Sequence, residues 1–452
     1  MKKLLFIFLL LPIGFLNAEE DYSSFMVREK MFSSDNKAEP ELKKNDPSSL
    51  NKSSLTENEK SIRVGLLLPL SGKAEKLGEA LKNAALMSQF ETSDSSLVLQ
   101  YYDTQGTADG AVNAFNKAKN DGVNIVIGPL FSREVKAITP YANDVGINVL
   151  SFTSDVSAIG NGIFSMALLV PQQIERIVSY ACTNGSRKFA LITRDDEYGK
   201  TIADAFGTAV AFCNDAEISG EGYYDMQSNN ITDVVKLIIG KKAFLIDNER
   251  AKQKSRTFKD TRKISEDGKA INLTASDFDI ASDKVPPDFD TIMIADDGTR
   301  LRSVAALLSY YDISTENVKI IGTSLWNDPS INKEPSLLKG LFPALDENNF
   351  KDFASRYKNL FGINPPRIVS QAYDAVALIS TLVQNYETDR IDSAMLTNSG
   401  GFLGIDGIFR LNPNGFCERA LAVYQIEKRK NIIVSPAPEI FTEDSIFKNY
   451  EF

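Results

Sequence analysis

Apolar runs alternate along this chain with stretches in which apolar residues recur at helical spacing, and the alternation begins at Ile62. IRVGLLLPL is apolar at successive positions, the pattern of a strand buried on both faces. LSGKAEKLGEALKNAALMSQF is a loop leading into an amphipathic helix that carries Leu77, Leu81, Ala85 and Leu86 near helical spacing. LVLQYYDT reads as the second strand and GAVNAFNKAKNDG as the second helix. Asn124 to Ile127 is an apolar, β-branched run closed by Gly128-Pro129, and Ile147 to Ser151 is another closed by Thr153, Ser154 and Asp155. Between these two buried parallel strands the pattern predicts a helix with Ser132 as N-cap, Glu134 in its first turn, and Pro140 kinking or ending it before Gly146.

Strands alternating with helices imply a mostly parallel sheet with right-handed crossovers. In such sheets ligands bind outside the carboxyl ends of the strands, which here are the loops Gly128 to Ser132 and Phe152 to Asp155. The candidate binding residues of this edge are Leu130, Ser132, Thr153, Ser154 and Asp155, with Ser71 and Gly72 at the end of the first strand. The free N–H groups behind Ser132 suit a small anion such as a carboxylate. Ser132 as a simple cap and Ser71-Gly72 as a routine turn pair are the plainer alternatives.

A second copy of the pattern starts after Pro171: QQIERIVSYACTN and GKTIADAFGTAVAFC as helices, KFALITR and EISGEGYY as strands. Two doubly wound parallel-sheet α/β lobes, joined at Phe164 to Pro171, make a hinged cleft the expected architecture. Residues 62–165 form the first part of lobe 1, and residues 166–318 form lobe 2. From VKIIGTSLW onward, residues 319–400 return to lobe 1, and residues 401–452 form a C-terminal hairpin and tail. The hairpin is GIFRLNPNGFCERALAVYQI, with its turn at Asn412 to Gly415. Within lobe 2, residues 247–290 are a charged insertion of mixed sign, basic early and acidic late, which reads as an exposed excursion. Trp326, the single tryptophan, lies in the core or faces the cleft.

Before Ile62 the chain reads as an address and a tether. Met1-Lys2-Lys3, the apolar stretch Leu4 to Leu16 and Asn17-Ala18 form a secretory signal peptide over residues 1–18, and the polar residues 19–61 form a disordered linker. No later run is apolar enough to serve as a transmembrane segment once the signal is removed.

Composition narrows the chemistry. At 452 residues and 43% hydrophobic the chain can build about two domains. The net charge of -10, with lysines and arginines not interleaved with aromatics, argues against nucleic acid. The sequence contains no histidine, which removes histidine-based triads, histidine-zinc sites and the usual general base. It contains no P-loop, dinucleotide fingerprint or GxSxG, so no cofactor is expected, and the expected class is a non-enzyme. The three cysteines, Cys182, Cys213 and Cys417, lack metal or redox spacing. Cys182 and Cys213 each end a helix of lobe 2, so a disulfide between them is open in an oxidising compartment if the two ends share a face of the sheet.

The segment IVIGPLFSREVKAITPYANDVGINVLSFTSD resembles the corresponding part of type I periplasmic binding proteins, the leucine/isoleucine/valine-binding class. YYDISTENVKIIGTSLWNDPSI, PPRIVSQAYDAVALIS and GFLGIDGIFRLNPNGFCERALAVYQI resemble one branch of that class, the penicillin-binding protein activators of Gram-negative bacteria. The resemblance covers roughly Ser61 to Pro438. It implies a two-lobed Venus-flytrap fold located in the periplasm, with no lipoprotein cysteine near Ala18 of the kind activators often carry. It also implies that Tyr198, in the loop RDDEYG, contacts ligand, unless it merely caps its strand–helix junction. Near Asp297 the amino-acid binders place an acidic residue that takes the ligand ammonium, although Asp297-Gly298 is also a standard turn pair. Two functions follow from the likeness: stimulation of a membrane-bound peptidoglycan synthase, or solute binding for an ABC permease that takes up an amino acid. Arg133 departs from the small polar residue common in the amino-acid binders and is placed to fill the carboxylate site.

Overall fold

The computed structural model describes residues 61–92, 96–228, 230–257, 285–386, 388 and 390–441. The expected signal peptide, nearly all of the linker, residues 258–284 of the charged insertion and the last residues of the tail lie outside them.

The chain opens with β1 (Ile62–Leu68), α1 (Glu75–Thr92), β2 (Leu97–Asp103), α2 (Ala108–Asn120), β3 (Ile125–Ile127), α3 (Ser132–Val145), β4 (Asn148–Ser151) and β5 (Ile163–Ser165). These strands form a five-stranded sheet in the order β2-β1-β3-β4-β5, and every pair in it is parallel. Leu66, Ile127, Leu150 and Phe164 lie side by side across the sheet, each at most 1% exposed. Helices cover both faces of such a sheet, which is why its strands are apolar at consecutive positions rather than at alternate ones. The cap of α3 differs from the expectation. Phe131 holds the N-cap position, Ser132 is the first helical residue, and Glu134 Oε2 accepts the Phe131 N–H at 2.9 Å. The helix runs through Pro140 to Val145 and closes on Gly146 at φ 66°, a left-handed C-cap that glycine adopts without steric cost.

The second lobe comprises α4 (Val170–Thr183), β6 (Lys188–Arg194), α5 (Glu197–Ala211), β7 (Glu217–Tyr224), α6 (Ile231–Ile239), α7 (Lys241–Thr257), β8 (Thr291–Ala295), α8 (Gly298–Tyr310), β9 (Lys319–Ile321) and β10 (Leu341–Ala344). There follow α9 (Glu347–Phe361), α10 (Val369–Tyr386), α11 (Ser393–Leu396), β11 (Phe402–Gly404), β12 (Gly407–Leu411), β13 (Cys417–Arg419), β14 (Ala422–Gln425) and β15 (Ile432–Ser435). The second sheet has seven strands in the order β15-β14-β10-β9-β8-β6-β7.

This order corrects the expected return to lobe 1 at residue 319. β9 pairs with β8 in parallel register, Thr291 opposite Lys319, and β10 continues the same sheet. A buried Ile-Ile run fits the middle of either sheet, and only the register tells them apart. The return falls after β10, where α10 packs lengthwise on α1 and Tyr357 of α9 donates to the Ala80 carbonyl at 3.2 Å. The expected C-terminal hairpin is likewise shorter than its sequence. β12 and β13 pair around the Asn412–Gly415 turn, while β14 crosses to lobe 2 and pairs antiparallel with β10. The charged insertion begins inside α7, where Asp247 pairs with Lys236 at 2.8 Å and accepts from the Tyr311 hydroxyl at 3.2 Å.

Cys182 and Cys213, near the ends of α4 and α5, are joined in a disulfide that closes a separation of 31 residues. A loop of that length is worth about 3–4 kcal/mol through the entropy it removes from the unfolded chain. Cys417 is buried and free. Trp326 is fully buried, donates its indole N–H to the Asp296 carbonyl at 3.2 Å, and packs over Gly322, where a Cβ would lie 2.1 Å from the ring. Among the described residues no helix is long and apolar enough to cross a membrane.

Candidate functional site

The carboxyl ends of β1, β2, β3 and β4 bring the lobe 1 candidates to one sheet edge. At Gly128 the chain leaves β3 at φ +91°, with a cis peptide to Pro129, and carries buried Leu130 to the start of α3. The Ser132 hydroxyl donates to Asp155 Oδ2, Lys136 Nζ lies 2.8 Å from the same oxygen, and Asp155 Oδ1 accepts from the Ser157 N–H at 3.0 Å and its hydroxyl at 2.6 Å. Burial alone would raise the Asp155 carboxyl, but Lys136, Ser132 and Ser157 overcome it and hold the group well below the usual carboxylate range.

A second carboxylate organises the neighbouring loop. Asp103, at the end of β2, accepts the Ser71 hydroxyl at 2.6 Å and the backbone N–H groups of Leu70, Ser71 and Gln105 at 2.9, 3.2 and 2.8 Å. Burial opposes ionisation here too, and the Ser71 and backbone donors reverse it, so the carboxyl sits below its ordinary value. Gly72 turns the chain at φ +79°. Thr153 points inward: its hydroxyl accepts the Asp155 N–H at 3.1 Å and its carbonyl accepts from Ser165 Oγ at 2.6 Å. Ser154 is exposed. Arg133 is engaged within lobe 1: its Nε and Nη2 donate to the Gly106 carbonyl at 3.2 and 2.5 Å, and its guanidinium lies 5.0 Å above the Phe131 ring.

In lobe 2 the carboxyl ends of β6, β8 and β9 gather Arg194, Tyr198, Asp296, Asp297 and Thr323. Tyr198, in the first turn of α5, stacks on the Arg194 guanidinium at 4.3 Å and shares a hydrogen bond with the Thr323 hydroxyl. Burial pushes its phenol up, against the Thr323 bond and the Arg194 charge. Asp297 is exposed and precedes α8 without capping it through its side chain. Its neighbour Asp296 is the buried member of the pair: fully inaccessible, with Oδ1 accepting the Asp297 N–H at 2.7 Å and Oδ2 unmatched by any hydrogen bond among the described residues. Burial raises its carboxyl, with Arg194 and Arg300 opposing.

The sequence pattern singled out Asp297 from the Asp296-Asp297 pair and did not single out Asp103, Lys136, Arg194 or Thr323. The signal for Asp103 and Asp296 was present, since each follows the last apolar position of a strand. Among the described residues no group of three or more cysteine, aspartate or glutamate side chains is placed to hold a metal ion.

Two α/β lobes, with polar residues gathered at the carboxyl edge of each sheet, define a two-lobed binding-protein fold. This chain belongs to the periplasmic binding protein family, whose model matches residues 61–431. A Leu/Ile/Val-binding protein, BraC3, of Rhizobium johnstonii is 26% identical over 177 residues, covering 35% of this chain and 48% of the relative. The penicillin-binding protein activator LpoA of Haemophilus ducreyi is 30% identical over 145 residues, 32% of this chain and 24% of that protein. The chain therefore spans between about a quarter and a half of the curated relatives it matches. Among solved structures, a putative branched-chain amino acid ABC transporter protein of Rhodospirillum rubrum superimposes with TM-score 0.64 at 17% identity, covering 83% of this chain and 100% of that one. The C-domain of LpoA from Haemophilus influenzae, described as a regulator of PBP1A, does so with TM-score 0.56 at 17% identity, covering 82% and 99%. At these identities the structural likenesses establish the fold.

Proposed function

We propose that this chain is a non-catalytic periplasmic protein that stimulates a membrane-bound peptidoglycan synthase, as the activators it resembles are named for doing. The observation that carries this reading is the pair of internal carboxylates at the lobe 1 edge. An amino-acid receptor needs the donors of this edge free for the ligand carboxylate. Here Asp155 takes the Ser132 hydroxyl and the Lys136 ammonium, and Asp103 takes the Ser71 hydroxyl and three backbone N–H groups. Both carboxylates are held ionised, so a second negative charge arriving beside either is repelled. With the cleft edge satisfied from within, function moves to the outer surface of the lobes.

The second reading, a solute-binding component serving an ABC permease, draws on lobe 2. Buried Asp296 with its unmatched oxygen, beside Tyr198 and Thr323, is a group of the kind that receives a ligand ammonium. Isothermal titration calorimetry of residues 19–452 against the amino acids separates the two. The activator reading predicts no heat at micromolar concentrations. Micromolar binding of one amino acid, abolished by Ser132→Ala or Tyr198→Ala, makes the chain a transport receptor instead.

A further inference from the structure

We infer that the C-terminal segment Pro436–Phe441 is a strap that crosses back from lobe 2 to lobe 1 and, with Arg419, limits how far the two lobes can open. The chain already crosses between the lobes after β5, after β10 and after β13. Following β15 it crosses a fourth time. Ala437 packs against the core of the seven-stranded sheet, and only four residues later Phe441 lies against Arg410 of β12 and against Gly401, just before β11. The small sheet β11-β12-β13 is part of lobe 1: Gly415 in its turn accepts the Ser165 N–H from β5 at 3.0 Å, and Ser370 of α10 donates to Asp406 at 2.7 Å.

Both ends of the strap are fastened. At the lobe 2 end, Arg176 of α4 donates through Nη2 to Ser435 Oγ at 2.6 Å and to the Pro436 carbonyl at 3.3 Å, and through Nε to the Leu421 carbonyl at 2.8 Å. One side chain therefore clamps the strap and the neighbouring crossing together. At the lobe 1 end the Phe441 ring stacks on the Arg410 guanidinium at 4.6 Å and lies so close to Gly401 that a Cβ there would come within 3.0 Å of it. Arg410 is itself nearly inaccessible and paired with Glu418 at 2.7 Å, so the ring covers a fixed platform. Deeper in the same region Arg419 donates from Nε and Nη2 to the Met166 carbonyl at 3.2 and 2.7 Å, tying the third crossing to the first.

Chain length turns this arrangement into a restraint. Four residue steps reach at most about 14 Å when fully extended, so the lobes cannot part along this side by more than the remaining slack unless Phe441 leaves its platform. A binding protein that releases solute by wide opening has to break this contact in each cycle. A protein that works through a fixed outer surface gains from keeping it. The restraint follows from the contacts alone and stands whichever partner or ligand the protein has.

The test is double electron–electron resonance on residues 19–452 carrying spin labels at Lys119→Cys, exposed on α2 in lobe 1, and Asp204→Cys, exposed on α5 in lobe 2. The intact chain is expected to give one narrow distance distribution. Phe441→Ala, and a chain ending at Ser435, should broaden it toward longer distances, and Phe441→Leu should restore most of the narrow peak. Four glycines inserted between Pro438 and Glu439 keep both fastenings but lengthen the tether, and should broaden it too. Circular dichroism melting confirms that each variant is folded. A distribution already broad in the intact chain, or one unchanged by the truncation and the insertion, overturns the inference and leaves the synthase reading untouched.

Discussion

Arg419→Ala destabilises the fold by about 3–5 kcal/mol, the range observed when one partner of a buried ion pair is removed. Arg419 is 3% exposed and Asp374 1%, with Nη1 3.6 Å from Asp374 Oδ2, and the neighbouring Arg367 is committed to Asp406 at 2.6 Å. Removing Arg419 leaves buried Asp374 beside the charge of Asp406, and frees the Met166 carbonyl of its two donors. Even with the guanidinium present, burial pushes the Asp374 carboxyl up to about 7, and without it the value rises further. The folded variant then holds a proton that the unfolded chain has already released. Its stability falls as pH climbs from about 4 through the folded-state value, because the unfolded state binds fewer protons over that interval. The loss relative to wild type is therefore larger at pH 8 than at pH 5. Urea denaturation followed by circular dichroism at both pH values measures it, and equal losses at the two would show that Asp374 does not feel the missing charge.

Gly128→Ala is the second large effect. Gly128 sits at φ +91°, where an L-residue is strained, and a Cβ built there lies 2.2 Å from the Leu67 carbonyl oxygen of β1. The obstacle is backbone in the middle of the sheet, so no rotamer change relieves it. Strain of about 1–3 kcal/mol and overpacking of about 1–3 kcal/mol add to roughly 2–6 kcal/mol. The displacement falls on the loop that carries Leu130 and Ser132, so the Ser132–Asp155 contact is lost with it. A melting temperature within a degree or two of wild type would contradict this account of the glycine.

Much of the architecture was legible because it depends on local patterning. The runs at 62–68, 125–127, 148–151, 188–194 and 291–295 each carry consecutive apolar residues in their middle, and each is a mostly buried parallel strand. What failed was membership and partnership. Lys319–Ile321 has the composition of a central strand in either lobe, and its place beside β8 is fixed by packing that no local window contains. Ser132 looked like an N-cap because serine before an apolar helix usually is one, yet its hydroxyl turns to Asp155, 23 residues on, which the sheet alone brings within reach. The sequence pointed to Asp297 where the structure buries Asp296, because β8 ends at Ala295 and Asp297 already stands at the exposed N-cap position of α8. The pairing of Cys182 with Cys213 depended on whether two helix ends share a face of the sheet, and the packing of α4 against α5 puts them on the same side.

The most direct test of the central claim is the rate at which a purified membrane-bound peptidoglycan synthase from the same organism, in detergent or liposomes, polymerises and crosslinks its lipid-linked substrate with and without residues 19–452 of this chain. The account predicts a several-fold, saturable rise in rate that Ser132→Ala and Tyr198→Ala leave intact, because the cleft edges are not the contact. A rate unchanged at saturating protein for every such synthase tested would contradict it.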